Sequence, residues 1–321
     1  MVSPEGREYV RNLRRNPAFG AVRFDLDELR QIMATRRMPA DTSVRCLRAQ
    51  VAGMPGEWVL AEGADPALRL LYLHGGGYVS GSGAFYLAMA AQLSAAARCA
   101  VLLPDYRLAP EHRFPAGLED CLRAYEWLSA TGPAGAAPAR ATFIVGDSAG
   151  GGLTLAALLA LRDRRRPLPA GAIAISPFTD LTLSGESVQS EGALDPIMHP
   201  NALPRFVELY VASHEVRNPL ASPLFGDYRG VPPLLIQVGE HEIIRDDSVR
   251  VAARARADGA DVALEIWPGM FHVFQSHEPL LPEGREAFAH IAAFMRSCLV
   301  RGRSGVIGSD AELPGAAGGP S

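Results

Sequence analysis

The chain has 321 residues, 48% of them apolar and 21% charged, with a formal net charge of −4. That length holds one large domain or two small ones, and the composition excludes disordered, collagen-like and coiled-coil organisation for its bulk. So weak a negative balance supplies no field to attract nucleic acid or an anionic membrane, and neither is an expected partner.

Taken in chain order, residues 1–40 are charged and lack a strand-like run. They are expected to form one or two helices packed on the outside, as an N-terminal cap. Nothing in the opening residues Met1-Val2-Ser3-Pro4-Glu5-Gly6-Arg7 resembles the apolar core of a signal peptide. Residues 43–52 and 56–61 read as a pair of antiparallel edge strands. Short, continuous apolar runs follow at 70–74, 99–103, 142–146, 171–176, 234–239 and 262–267. Such runs suit strands buried on both faces of a mostly parallel sheet. Helical patterns near 84–97, 117–130, 149–165, 246–258 and 284–299 alternate with them. That rhythm predicts an α/β fold with helices on both faces of the sheet.

Residues 178–230 break the rhythm, because they separate two strands by far more than the usual connection. With several prolines and a helical patch at 201–213, they read as a cap insertion. Within it Phe206, Leu209 and Tyr210 would line a pocket or form the insertion's own small core, and the second is the plainer expectation. The α/β core is then 41–177 with 231–299. The Gly, Ala, Pro and Ser-rich tail, 300–321, reads as disordered. The four cysteines, 46, 99, 121 and 298, have no metal-site spacing, and Cys99 and Cys121 suit small core residues. No window holds the roughly 20 apolar residues of a membrane helix, so stable membrane insertion is not expected. A reduced, cytoplasmic protein is the corresponding expectation. A homodimer stays open.

The chemistry concentrates in four places. Gly146-Asp147-Ser148-Ala149-Gly150-Gly151 follows an apolar strand and opens a long helix, the setting of a nucleophile elbow that lifts a serine out of the sheet. With 32 glycines in the chain, Gly-x-Ser-x-Gly alone arises by chance in about one such chain in five. A bare glycine turn at a helix start would explain it as well. His74-Gly75-Gly76-Gly77 is far rarer, expected about 0.01 times in a chain with this many histidines. Glycines there free backbone amides to face a substrate oxygen, and acyl transfer needs such donors for its oxyanion. The candidates are the amides of Gly76, Gly77 and Ala149, with His74, Gly75 and Asp147 supporting the two motifs. His74 reads as an organiser of its loop. The expected base is His272, in the loop after the strand at 262–267. His277 and His290 are its competitors.

Together these segments resemble the bacterial hormone-sensitive-lipase-like family of α/β-hydrolase carboxylesterases. The other matching strings are Asp105-Tyr106-Arg107-Leu108-Ala109-Pro110, residues 232–242 and Pro268-Gly269-Met270-Phe271-His272. The resemblance spans roughly residues 40 to 298. It implies an α/β-hydrolase fold with a helical cap, short- to medium-chain ester substrates, and no cofactor or metal. Asp105 and Arg107 are then expected in buried polar contacts. Where many members carry an aspartate two residues after the strand-ending glycine, this chain has His241. A smaller set of relatives uses a glutamate one position later, which matches Glu242. Asp246, Asp247 and Glu240 remain alternatives for the acid, although acidic residues at a helix start also serve as caps. The resulting expectation is a serine carboxylesterase with Ser148, Glu242 and His272. A lyase or cyclase on the same fold, or a non-catalytic binding protein, would need the serine reused or a triad member lost.

Overall fold

The computed structural model describes residues 2–15, 24–39, 41, 43–192, 194–277 and 280–307. Two helices, α1 (Pro4–Arg15) and α2 (Leu26–Met33), precede the hairpin of β1 (Arg45–Val51) and β2 (Met54–Leu60). Then come β3 (Asp65–Leu73), α3 (Leu87–Ala97), β4 (Cys99–Pro104) and α4 (Ala116–Ala130). A two-residue hairpin, β5 (Thr131–Gly132) with β6 (Gly135–Ala136), leads into β7 (Ala141–Asp147), α5 (Ala149–Asp163) and β8 (Gly171–Ile175). Beyond β8 lie the short helices α6 (Ser187–Ser190) and α7 (Leu203–Tyr210). The chain returns to the sheet through β9 (Leu234–Gly239), α8 (Arg245–Ala257), β10 (Val262–Trp267) and α9 (Pro282–Ile307).

Eight strands form one sheet in the order β1-β2-β4-β3-β7-β8-β9-β10. Only the β1–β2 and β2–β4 pairs are antiparallel, so six strands run parallel from β4 to β10. Alternation along each strand sends side chains to opposite faces. Leu71 and Leu73 of β3 join α4, α5 and α8 in one apolar layer. Leu70 and Tyr72 join α3 and α9 in the other. This two-sided burial is why β4, β8, β9 and most of β3 and β7 read as apolar runs, whereas the same expectation fails for residues 262–267, because β10 is an edge strand and is only partly buried. Helix α5 is buried from Ala149 to Leu161, which accounts for its apolar character on every side. A third, smaller cluster ties Val10 of α1 to Trp267, Phe271 and Phe274.

Three expectations need correction. Helix α9 continues to Ile307, so the tail does not begin at 300; residues 308–321 lie outside the described residues. The β5–β6 hairpin went unforeseen, because two-residue strands leave no periodicity to read. Arg107 is not buried: its guanidinium sits at the surface, and the buried partner is the Asp120 carboxylate, 2.8 Å away. Asp105 is half-buried and accepts from the Gly83 amide. Among the described residues, no helix is long and apolar enough to cross a membrane.

Candidate active site

The loops after β3, β7, β9 and β10 meet at the C-terminal edge of the sheet. In parallel α/β sheets this is the edge where loop residues from several strands converge on a ligand. Ser148 occupies the sharp turn between β7 and α5, with φ 54° and ψ −120°. A non-glycine residue in that region is strained, and its surroundings must hold it there. Its amide donates to the Ile175 carbonyl at 2.9 Å. The glycines around it are required by contact. A Cβ on Gly146 would strike the Gly150 carbonyl, and one on Gly150 would strike the Leu73 and His74 carbonyls. Gly150→Ala should therefore push α5 off β3. We expect a loss of about 3 kcal/mol or more, at the upper end for overpacking against immovable backbone, read as a lowered urea midpoint.

Three side chains from three loops form a hydrogen-bonded line. The Ser148 Oγ lies 3.0 Å from His272 Nε2, and His272 Nδ1 lies 2.9 Å from Glu242 Oε2. A proton on Nδ1 donates to the carboxylate and leaves Nε2 free to accept from the serine hydroxyl. Glu242 is fully buried. Its other oxygen accepts from Ser176 Oγ at 2.8 Å and from the Gly239 amide. Burial works against an imidazolium at His272. The Glu242 hydrogen bond and charge, with the charges of Asp195 and Asp147, outweigh it and hold the ring's pKa above its ordinary value.

The other acid candidates point elsewhere. Asp247 accepts from the Thr179 and Asp180 amides at 2.7 and 2.8 Å. Asp246 accepts from the Ser187 amide at 3.0 Å, while the Ser187 hydroxyl accepts from the Asp246 amide. Both therefore anchor the 178–190 segment instead of capping their own helix. Glu240 holds the Gly269 amide. Of the competing histidines, His290 pairs with Glu265 of β10. His277 lines the same cavity, with its Nδ1 2.7 Å from Tyr9 Oη.

Opposite this line stands the glycine loop. Gly76 and Gly77 have φ of +121° and +63°. Side chains there would collide with Ser80 and with the Phe206 ring, respectively. Among the described residues, no protein group accepts from the amides of Gly76, Gly77 or Ala149. His74 is held as an organiser. Its ring stacks on Tyr106 with centroids 4.3 Å apart, and its Nδ1 donates to the Gly75 carbonyl at 2.8 Å. Burial lowers its pKa, keeping it neutral. Asp147 bridges elbow and loop: Oδ1 accepts from the Gly75 amide and Tyr72 Oη, and Oδ2 from Tyr86 Oη. Burial raises its pKa to about 6 even though these donors oppose the rise.

A cavity of about 360 Å³ opens in front of Ser148, walled by Phe24, Met33, Phe85, Met198 and Phe206 among others. Phe206 is thus a pocket wall, edge-on to Phe24 at 5.0 Å between ring centroids. Tyr210 follows neither expectation: it is buried and stacks on Tyr78 at 3.9 Å between centroids, so it joins the main core and not a separate core of the insertion. Leu209 also packs on the main core.

Three residues here escaped the sequence reading. Ser176 supports Glu242 and accepts from the Val273 amide. Asp195 accepts from the Ile243, Ile197 and Met198 amides, and burial raises its pKa to about 6. Arg37 lines the cavity. None stands in a motif; only the fold brings them here.

Comparison with known proteins places the fold and the class of enzyme. The family described by the alpha/beta hydrolase fold matches residues 70–276. An acetyl-hydrolase of Streptomyces hygroscopicus is 44% identical over 246 residues, covering 77% of this chain and 81% of its own. The crystal structure of an esterase/lipase from an uncultured bacterium superposes with a TM-score of 0.85 at 40% identity, covering 92% of this chain and 99% of its own. An esterase from the bacterial hormone-sensitive lipase family superposes at 0.83 with 41% identity and the same coverage. The chain belongs to the α/β-hydrolase fold family, in its bacterial hormone-sensitive-lipase-like branch of carboxylic ester hydrolases.

Proposed function

We propose that this ester hydrolase works by two-step serine acyl transfer on short- to medium-chain carboxylic esters. The observation that carries the reading is the Ser148–His272–Glu242 line, with spacings of 3.0 and 2.9 Å, facing unpartnered loop amides. As Ser148 Oγ attacks the ester carbonyl, His272 Nε2 takes its proton, and the buried Glu242 carboxylate stabilises the imidazolium. Negative charge develops on the former carbonyl oxygen, where the amides of Gly76, Gly77 and Ala149 receive it. The tetrahedral intermediate collapses, the C–O bond to the alcohol breaks, and His272 returns its proton to the leaving oxygen. Water then attacks the acyl-serine by the same route, releasing the carboxylic acid and restoring Ser148.

In this reading, residues 1–40 and 178–230 act as a cap. Phe24 and Met33 from the first stretch and Met198 and Phe206 from the second supply apolar walls, whose burial against an acyl chain contributes about 0.8 kcal/mol per methylene. The acetyl-hydrolase among its relatives points to the short end of the acyl range. The test is a chain-length series of p-nitrophenyl esters with rapid mixing. Hydrolysis with a burst of p-nitrophenol, and an acyl adduct on Ser148 by mass spectrometry, is the expected result. Ester hydrolysis in which no active-site reagent ever labels Ser148 would refute the covalent route.

A further inference from the structure

Three arginines stand close together at the end of α2 and just after it, and two of them find carboxylates. Arg30 makes a two-pronged pair with Glu111, and Arg36 makes one with Glu57. Arg37 has no carboxylate partner among the described residues. Its amide donates to the Ala84 carbonyl at 3.0 Å, and its guanidinium lies 3.6 Å from the centroid of the Phe85 ring. Ring stacking holds a guanidinium in place while leaving its planar fork of N–H donors free for an oxygen anion.

The cavity's own acids leave that fork open. Asp25 accepts from the Asp27 and Glu28 amides at the start of α2. Glu28 is exposed at the rim. Asp147 is committed to Tyr72, Tyr86 and Gly75. Burial pulls the Arg37 pKa down, and the groups that counter it are the phenols of Tyr86 and Tyr9. Beside it, burial and the Arg37 charge push His277 down to about 4. That ring is neutral at working pH, and its Nε2 is left for a ligand because Nδ1 is bound to Tyr9. A cation and a neutral imidazole set among phenylalanines form a mostly apolar pocket with a few placed polar groups, the usual make-up of a small-molecule site.

We infer that Arg37, with His277 beside it, is a carboxylate subsite, and that the enzyme accepts esters bearing a second, anionic group. Resting on the ester-hydrolase reading, the inference names a substrate class within it. The carboxylate lies on the acyl side, as in a half-ester of a dicarboxylic acid, or on the alcohol side, as in an ester of a hydroxy acid. Charge-assisted pairing of guanidinium with carboxylate is the strong form of a hydrogen bond. Arg37 is exposed where it lines the cavity, and the Phe85 ring supplies the platform that holds its guanidinium there.

Two substrate pairs separate the two sources, followed by pH-stat. Ethyl hydrogen glutarate against ethyl pentanoate reads the acyl side, and butyryloxyacetate against ethyl butyrate reads the alcohol side. In one arm, Arg37→Gln should lower the ratio of kcat/KM for the charged ester over its neutral partner by about tenfold, with partial recovery in Arg37→Lys. Calorimetry of the charged esters with Ser148→Ala protein reads the subsite without turnover, and adding Arg37→Gln there should weaken binding to the same degree. A ratio that moves less than about twofold in both arms, with equal calorimetric affinity, would overturn the subsite and leave Arg37 as a stacking contact for Phe85. No hydrolysis of any of the four esters would instead sink the hydrolase reading, and the calorimetric result would still decide the subsite.

Discussion

Ser148→Ala is expected to abolish ester turnover, with a loss of about 10⁴-fold or more in kcat, while the protein stays folded. The substitution removes one oxygen from a residue that is 8% exposed at the mouth of the cavity. The hydrogen bond lost is the one to His272 Nε2, and alanine carries no buried polar atom in its place. Backbone strain at φ 54° remains, because the β7–α5 turn and not the hydroxyl imposes it. Circular dichroism and thermal melting should match the parent within about 1 kcal/mol, the range of a lost hydrogen bond. Near-normal hydrolysis of p-nitrophenyl butyrate by this variant would end the serine assignment.

Glu242→Gln is the second large effect, and its direction follows from counting donors. The two carboxylate oxygens accept from His272 Nδ1, Ser176 Oγ and the Gly239 amide. A glutamine offers one oxygen and one NH₂. Turning the NH₂ toward the Gly239 N–H sets donor against donor in a buried site, at a cost of about 1–3 kcal/mol. The favoured rotamer therefore aims the NH₂ at His272 Nδ1. That stabilises the tautomer with the proton on Nε2, which cannot accept from Ser148. An equivalent change in a serine protease lowers turnover about 10⁴-fold; we expect about 10²–10⁴-fold here. The pH profile supplies a separate signature. Glu242 raises the His272 pKa, so its loss lowers that pKa, and the acid limb of kcat/KM should move to lower pH although the plateau falls. Asp246→Asn, whose carboxylate meets Ser187 and Arg245 and not His272, should retain close to the parent rate. A fast Glu242→Gln beside a slow Asp246→Asn would reverse the assignment of the acid.

Much of this was legible because local chemistry and fold agree. Strands β3, β4, β7, β8 and β9 are buried on both faces, so each reads as an apolar run with no polar alternation. The elbow and the glycine loop are contiguous in sequence, and each answers to a constraint acting within a few residues of itself: a Cβ at Gly146 would meet Gly150, and one at Gly76 would meet Ser80. Constraints of that range leave motifs. His272 was found because it occupies the loop after the last strand.

Contacts between distant segments left no such trace. Glu242, Asp246 and Asp247 are equally acidic and nearly adjacent, so composition could not choose among them. The choice depends on which way each side chain leaves the turn after β9, and packing decides that. Ser176 and Gly239 hold Glu242 toward His272, while the amides of Thr179, Asp180 and Ser187 draw the two aspartates outward. The same holds for Phe206, whose neighbours at the cavity are Gly77 and Phe24, and for Asp195 and Arg37, which no motif marks. By itself the sequence determined the class of fold and marked the turn at Ser148, the glycine loop and His272. The tertiary structure alone decided which acid faces His272 and which side chains wall the cavity, because those depend on contacts between segments that are far apart along the chain.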